Sequence, residues 1–80
     1  MLQELTSGNK VVGVKQSRKA IREGRAARVY LACDADPAMT DPLASNCEEL
    51  GVPVIRDFSM AQLGRACRIT VGAAVAVLLN

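Results

Sequence analysis

The sequence predicts an α/β domain in which helices cover both faces of a small four-stranded sheet. Two observations lead to this fold class. Short apolar runs alternate with helix-start signals in the order α-β-α-β-α-β-α-β, and the segments between them are short. The chain has 80 residues, 50% of them hydrophobic, which is enough for one small core and too few for two. We therefore expect a single folded domain over residues 1–80.

The first predicted elements are a short helix and a short strand. The opening LQELTSGN favours a helix that ends in a left-handed turn at Gly8 and Asn9. KVVGV, residues 10–14, is typical of a short buried strand. Gly13 lies where the chain must turn out of that strand into the next helix.

A basic helix is predicted over residues 15–23, and Gly24 ends it. Its cations recur at helical spacing, so they share one face opposite an apolar one. This basic face consists of Lys15, Arg18, Lys19 and Arg22. ARVYLACD, residues 27–34, then predicts a strand because it is rich in β-branched and aromatic residues.

The middle of the chain, DADPAMTDPLASNCEELG, contains two helix-start signals. Pro37 and Pro42 each follow an aspartate that can cap a helix. We place the main helix at residues 42–50, ended by Gly51. VPVIRDF then predicts a strand, in which Pro53 must lie near the start or on an edge because it has no N–H to donate.

The last helix and strand have clear boundaries. Ser59 caps the helix, Gln62 completes a capping box, and Phe58 can pack against Leu63 as a hydrophobic staple. The apolar run Val71–Leu79 predicts a buried strand, and it is well short of the roughly 20 residues that span a bilayer. The N-terminus shows no export signal, so we expect a cytoplasmic protein without membrane contact.

Charge is divided unevenly along the chain, although the net charge is only +2. Residues 1–32 carry seven Lys or Arg and two Glu, whereas residues 33–58 carry one Arg and six acids. Such opposed charges can steer a polyanion to one side of a protein. The basic half therefore predicts a polyanionic partner, and a merely solvated basic face is the alternative.

The residue types exclude most enzyme chemistry. The chain has no His, which removes the usual general base, the commonest metal ligand and every nucleophile pair that needs an imidazole. Its three cysteines are isolated in the sequence, which predicts small buried residues and neither a disulfide framework nor a zinc site. These cysteines are Cys33, Cys47 and Cys67. We therefore expect no enzyme, no metal and no cofactor.

Among polyanions, structured RNA fits the sequence best. No glycine-rich phosphate loop or dinucleotide fingerprint occurs. Stacking of single-stranded bases needs exposed aromatics, but Tyr30 lies within a strand and Phe58 at a helix start. Bent or bulged RNA helices instead offer phosphates and unpaired base edges to polar side chains. Lys15, Gln16 and Lys19 converge on the start of the basic helix, where a phosphate or base edge would offset the unfavourable position of Lys15 in the helix dipole.

Two further segments leave a choice open. Asp34 and Asp36 could form a metal-binding or acid–base pair, although turn and capping roles explain them more simply. The segment before the last strand either begins that strand or forms an apolar ledge under an extruded nucleotide. Its residues are Arg68, Ile69, Thr70 and Val71.

Five segments, GVKQSRK, LACDADP, CEELGVPV, SMAQLGRAC and VGAAVAV, follow one another in an order and spacing that resemble the ribosomal protein L7Ae superfamily. The small bacterial members of this superfamily of kink-turn RNA binders are the most similar. The resemblance implies a three-layer α/β/α sandwich on a mixed four-stranded sheet. It also implies recognition of the kink-turn, a sharp bend in duplex RNA with tandem sheared G·A pairs and an extruded loop nucleotide.

The resemblance further implies which residues bind RNA. The superfamily signature Gly-x-Asn-Glu-x-x-Lys falls on Gly13, Lys15, Gln16 and Lys19, so that Lys replaces the Asn and Gln the Glu. The loop that shelters the extruded nucleotide corresponds to residues 68–71. A carboxylate that approaches the same nucleotide corresponds to Asp36.

We therefore expect a non-enzymatic, monomeric RNA-binding protein that stabilises kink-turns. The RNA would be ribosomal RNA, a riboswitch or a messenger leader, and the ribosome is a candidate setting. The alternative is a protein-interaction or ribosome-assembly adaptor that acts through the acidic face of residues 33–58.

Overall fold

The computed structural model describes residues 2–80, in which helices and strands alternate as the sequence predicts. The elements are α1 (Leu2–Ser7), β1 (Lys10–Val12), α2 (Val14–Arg22), β2 (Ala26–Leu31), α3 (Pro37–Leu50), β3 (Val54–Ile55), α4 (Met60–Ala66) and β4 (Val75–Leu79). The strand order in the sheet is β1-β4-β2-β3. Strand β4 runs antiparallel to both β1 and β2, whereas β3 runs parallel to β2. The predicted mixed four-stranded sheet is confirmed.

Each face of the sheet carries its own apolar cluster beneath two helices. Successive side chains of a strand point to opposite faces, so Val29 and Leu31 of β2 pack with α2 and α3, whereas Tyr30 packs with α1 and α4. Complete burial of such a side chain stabilises the fold by about 1.5–3 kcal/mol. The three-layer α/β/α arrangement follows from this alternation.

The long helix α3 begins at Pro37, so the prediction that the main helix starts at residue 42 is wrong. Asp36 caps the helix, because its carboxylate accepts a hydrogen bond from the N–H of Ala38 at 3.0 Å. Pro42 lies inside α3, where it removes one backbone donor but keeps its ring in solvent. Of the two start signals, the one with the side-chain cap therefore determines where the helix begins.

The final strand is shorter than the predicted run of residues 71–79, because β4 begins at Val75. The preceding residues fold back against the start of α4, where the N–H of Ala73 donates to the carbonyl of Met60 at 3.0 Å. Residues 68–74 therefore form a loop, called here the α4–β4 loop. The other three strands are shorter than predicted at their C-terminal ends, by one or more residues each.

The predicted helix boundaries are otherwise mostly confirmed. Ser59 and Gln62 form both hydrogen bonds of the capping box, at 3.1 and 2.8 Å. Pro53 lies immediately before the edge strand β3. The left-handed turn predicted at Gly8 is wrong, since α1 ends there through a hydrogen bond from the N–H of Gly8 to the carbonyl of Glu4 without a positive φ.

Within residues 2–80, every helix is too short or too polar to cross a bilayer.

Candidate functional site

Four connecting segments meet at one end of the sheet, where β1, β2 and β3 end and β4 begins. The N–H of Gly13, just after β1, donates to the carbonyl of Val75 at 3.1 Å. The N–H of Ala32, just after β2, donates to the carbonyl of Ala74 at 2.9 Å. Because β4 is antiparallel to both neighbours and β3 is parallel to β2, four segments share this end: the turn into α2, the β2–α3 turn (residues 32–36), residues 56–59 and the α4–β4 loop.

Gly13 forms an open start for α2. Its φ of 99° and ψ of 155° lie in a region that is accessible essentially only to glycine. Apart from Gly13 and its two chain neighbours, no residue of 2–80 has a heavy atom within 4 Å of a Cβ placed at Gly13, so the backbone conformation and not the space requires glycine. Over the same residues no side chain caps α2, which leaves N–H groups of its first turn free to bind a negative group.

The basic face of α2 is confirmed as a geometric feature. Lys15, Gln16 and Lys19 are exposed, whereas Ser17, Ala20 and Ile21 are buried in the core. A shallow groove runs between the exposed side chains and is lined by Lys15, Gln16, Arg18, Lys19, Arg22 and Glu23. The residues implied by the superfamily signature therefore lie together, and Arg18 and Arg22, which that signature omits, extend the same surface.

Among residues 2–80, no acid forms an ion pair with the basic face, although Glu23 lies beside it. Ion pairs among residues 2–80 join Arg25 to Glu23 and Arg28 to Glu4, and they involve none of the four basic-face residues. Lys15 also lies in the first turn of α2, where the positive end of the helix dipole disfavours a cation. This arrangement favours an external anion at the start of α2.

The two aspartates of the β2–α3 turn both accept hydrogen bonds from backbone N–H groups. Asp36 caps α3 through Ala38, and the Oδ1 of Asp34 accepts from the N–H of Met60 at 2.8 Å. No cluster of three or more candidate metal ligands occurs within residues 2–80. The capping interpretation is therefore confirmed for Asp36, which lies in the turn beside β4, whereas Asp34 accepts from the first residue of α4, 26 positions further along the chain.

The α4–β4 loop presents apolar side chains to solvent. Ile69 is 38% exposed and Val71 69% exposed, and both precede the first residue of β4. The interpretation that residues 68–71 begin the last strand is therefore wrong. Arg68 has a φ of 61°, a left-handed conformation that is strained for a residue with a Cβ. The loop supplies an exposed apolar surface with Arg68 and Thr70 beside it.

The prediction of three buried cysteines is correct for two of them. Cys47 and Cys67 are buried, and burial raises the pKa of both thiols, although nearby Lys10 partly opposes this effect at Cys67. Cys33 is exposed because β2 ends at Leu31 and the chain has already entered the β2–α3 turn. The DADP sequence that follows Cys33 is a turn signal that could have indicated this exposure.

Comparisons with known proteins agree with this architecture. The sequence profile of the Ribosomal protein L7Ae/L30e/S12e/Gadd45 family matches residues 2–80. A protein of Geobacillus sp. (strain WCH70), named as an RNA-binding protein, is 44% identical over 76 residues, which cover 95% of this chain and 93% of that protein. RNA-binding protein YbxF of Geobacillus stearothermophilus is 41% identical over 76 residues, with the same two coverages.

A solved structure of similar shape extends the comparison beyond bacteria. The Giardia lamblia 15.5kD RNA binding protein superposes with a TM-score of 0.92 at 32% sequence identity. The alignment covers 99% of this chain and 70% of that one. The chain belongs to the ribosomal protein L7Ae/L30e/S12e/Gadd45 family.

Proposed function

We propose that this protein is a non-enzymatic RNA-binding protein that recognises and stabilises kink-turns. The observation that carries the proposal is that two unlike surfaces adjoin the same end of the sheet. One is the uncapped, unneutralised start of α2, and the other is the exposed apolar segment of the α4–β4 loop. A kink-turn offers a complement to each, namely crowded phosphates with polar base edges and one extruded nucleotide. Relatives that are named as RNA-binding proteins support RNA as the partner.

The start of α2 would contact the G·A pairs and the phosphates around them. Gly13 adds no side chain, so RNA can approach the N–H groups of the first helical turn. Lys15 and Lys19 would donate to base edges or phosphate oxygens, and Gln16 could both donate and accept. Arg18 and Arg22 would add phosphate contacts, which strengthen binding without reading the sequence.

The α4–β4 loop would receive the extruded nucleotide. Ile69 and Val71 provide an apolar surface for the face of a base without aromatic stacking. Arg68 and Thr70 supply polar groups beside that surface. Asp36 uses one carboxylate oxygen for the cap of α3, and its other oxygen could accept from the same nucleotide.

Binding of both surfaces to one RNA explains how the protein would stabilise a bend. A straight duplex can occupy the basic face, but it offers no extruded base to the loop. The protein therefore has a higher affinity for the kinked conformation, and this difference shifts the RNA towards it. A ligand with equal affinity for both conformations would shift nothing.

Titration of two RNAs tests the proposal. One contains a kink-turn, and in the other Watson–Crick pairs replace the two G·A pairs and the extruded nucleotide is deleted. We expect the kink-turn RNA to bind at least about 100-fold more tightly at physiological salt, since specific RNA contacts then add to the phosphate contacts that both RNAs share. Equal affinities would contradict the proposal.

The adaptor alternative has less support from the structure. Two of the six acids in the acidic face of residues 33–58, Asp34 and Asp36, already serve as backbone acceptors. The exposed acids of α3, which include Asp41, Glu48 and Glu49, lie along the outer side of that helix. Protein partners that survive ribonuclease treatment, and that are lost when these three acids are replaced, would favour the adaptor.

A further inference from the structure

The first residue of α4 connects two of the segments that meet at the end of the sheet. The N–H of Met60 donates to the Oδ1 of Asp34 in the β2–α3 turn at 2.8 Å. The carbonyl of Met60 accepts from the N–H of Ala73 in the α4–β4 loop at 3.0 Å. The backbone of one residue therefore joins the carboxylate of Asp34 to the loop.

The α4–β4 loop also lies directly on α4 at Gly64. A Cβ at Gly64 would lie 2.2 Å from the carbonyl oxygen of Val71 and 3.1 Å from the Cα of Gly72. Both are backbone atoms, so no side-chain rotation could make room. The carbonyl of Gly64 further accepts from the N–H of Ile69 at 3.0 Å. The position of the apolar segment is thus set by the position of α4.

Asp34 is an unexpected residue to find beside a surface that binds RNA. Its side chain is exposed, and its negative charge would repel a polyanion. Its hydrogen bond to Met60 places a carboxylate at the N-terminus of α4, where the helix dipole favours a negative charge. The carboxylate therefore has a structural partner that accounts for its presence, at an electrostatic cost to RNA binding.

We propose that Asp34 is a positioning residue for RNA recognition. It fixes the start of α4 and, through Met60 and Ala73, the shape of the loop that receives the extruded nucleotide. The proposal rests on the proposed function, because it assigns the purpose of the bond between Asp34 and Met60 to that loop. A loop that already has its bound shape loses less conformational entropy when RNA binds.

Three variants separate positioning from charge. Asp34→Ala removes both the acceptor and the charge, whereas Asp34→Asn removes the charge and keeps an acceptor oxygen. Asp57→Ala is the matched control, because Asp57 is also an exposed acid beyond a strand end and its side chain makes no hydrogen bond or ion pair within residues 2–80. Each variant is titrated with the kink-turn RNA and with the straight control RNA. Amide hydrogen exchange of Ala73 is measured in the free proteins.

The two effects have opposite signs. Removal of an acid beside RNA tightens binding to both RNAs if charge alone matters. Positioning predicts instead that Asp34→Ala weakens kink-turn binding by about tenfold, as the loss of one hydrogen bond to a charged group would. The kink-turn affinity of Asp34→Asn should stay within about twofold of the wild-type affinity. Asp57→Ala should bind the kink-turn RNA at least as tightly as the wild-type protein does. The amide of Ala73 should exchange faster only in Asp34→Ala.

Two results would overturn the inference. One is equal kink-turn affinity for Asp34→Ala and Asp57→Ala, and the other is an Asp34→Asn protein as weak as Asp34→Ala. Equal binding of both RNAs by the unmodified protein would overturn the proposed function and the RNA role of Asp34 with it. In that case unchanged exchange of Ala73 in Asp34→Ala would also refute the structural link, and faster exchange would support it.

Discussion

The two halves of the candidate site are built in opposite ways. The start of α2 is open, because within residues 2–80 no side chain caps the helix and only chain neighbours would lie within 4 Å of a Cβ at Gly13. The α4–β4 loop is tightly packed, because Gly64 contacts its backbone and Met60 accepts from Ala73. The first half therefore depends on exposed side chains of one helix, and the second on contacts between distant segments. Substitutions of exposed side chains should affect mainly ligand binding in the first half, whereas substitutions in the second half should affect both folding and binding.

The largest stability effect is expected from Gly64→Ala. The added Cβ would lie 2.2 Å from the carbonyl oxygen of Val71, so α4 and the loop must separate. We expect unfolding free energy to fall by about 3 kcal/mol, at the upper end for overpacking because the clash is with backbone. Urea denaturation followed by circular dichroism measures this.

Gly13→Ala is the matched substitution in the open half. There the cost comes from the backbone conformation alone, and we expect the free energy of unfolding to fall by about 1–2 kcal/mol. If Gly64→Ala is no more destabilising than Gly13→Ala, the contrast between a packed and an open half is wrong.

Lys19→Ala should weaken RNA binding without affecting folding. Lys19 is exposed and makes no ion pair within residues 2–80. We expect a loss of about 1–3 kcal/mol in the preference for kink-turn RNA over the straight control, as for a lost base-edge contact. Lys10→Ala on β1 removes the same charge away from α2 and should leave the preference unchanged. Equal effects of the two variants would reduce Lys19 to a general phosphate contact.

Arg68 tests whether the loop stores backbone strain. Arg68 has a φ of 61°, where glycine has no Cβ penalty. The Arg68→Gly protein should therefore be about 1 kcal/mol more stable to unfolding than the Arg68→Ala protein. The order should reverse at Arg65, a helical residue of α4, where glycine is less stable than alanine by about 1 kcal/mol. Thermal unfolding of the four variants checks the reversal, and the same order at both positions would show that Arg68 is unstrained.

A stabilising effect of similar size is expected at Ser17, on the buried side of α2. Its hydroxyl is fully buried and has no hydrogen-bond partner among residues 2–80. Ser17→Ala should therefore stabilise the protein by about 1 kcal/mol, through removal of an unsatisfied polar group and a better helix propensity. Ser45→Ala on the exposed side of α3 isolates the propensity part. A gain at Ser17 no larger than at Ser45 would mean that the buried hydroxyl costs nothing.

The features that could be predicted from the sequence are those that nearby residues determine. The basic face of α2 follows from the spacing of four cations, and the start of α4 follows from the Ser59 and Gln62 capping box. The start of α3 could not be chosen from the sequence, because Asp36-Pro37 and Asp41-Pro42 are equally good helix-start signals. In the structure, the hydrogen bond from the N–H of Ala38 to Asp36 marks the first of them as the start.

The features that the sequence did not predict depend on tertiary contacts. Residues 71–74 are as apolar as a strand, yet Met60 and Gly64 hold them as a loop. No local pattern indicates that Asp34 bonds to an N–H 26 positions further along the chain. The assignment of a binding role to this loop therefore comes from the resemblance to the superfamily, because residue patterns alone left it open.

Amide chemical shifts of the protein during titration with the two RNAs test the central claim most directly. That claim is that the start of α2 and the α4–β4 loop contact one RNA together. We predict that kink-turn RNA shifts the amides of residues 15–19 and of residues 68–71 with the same saturation curve. The straight control should shift mainly the α2 amides. Shifts that are confined to the outer side of α3, or that reach α2 without the loop when kink-turn RNA is added, would contradict the account.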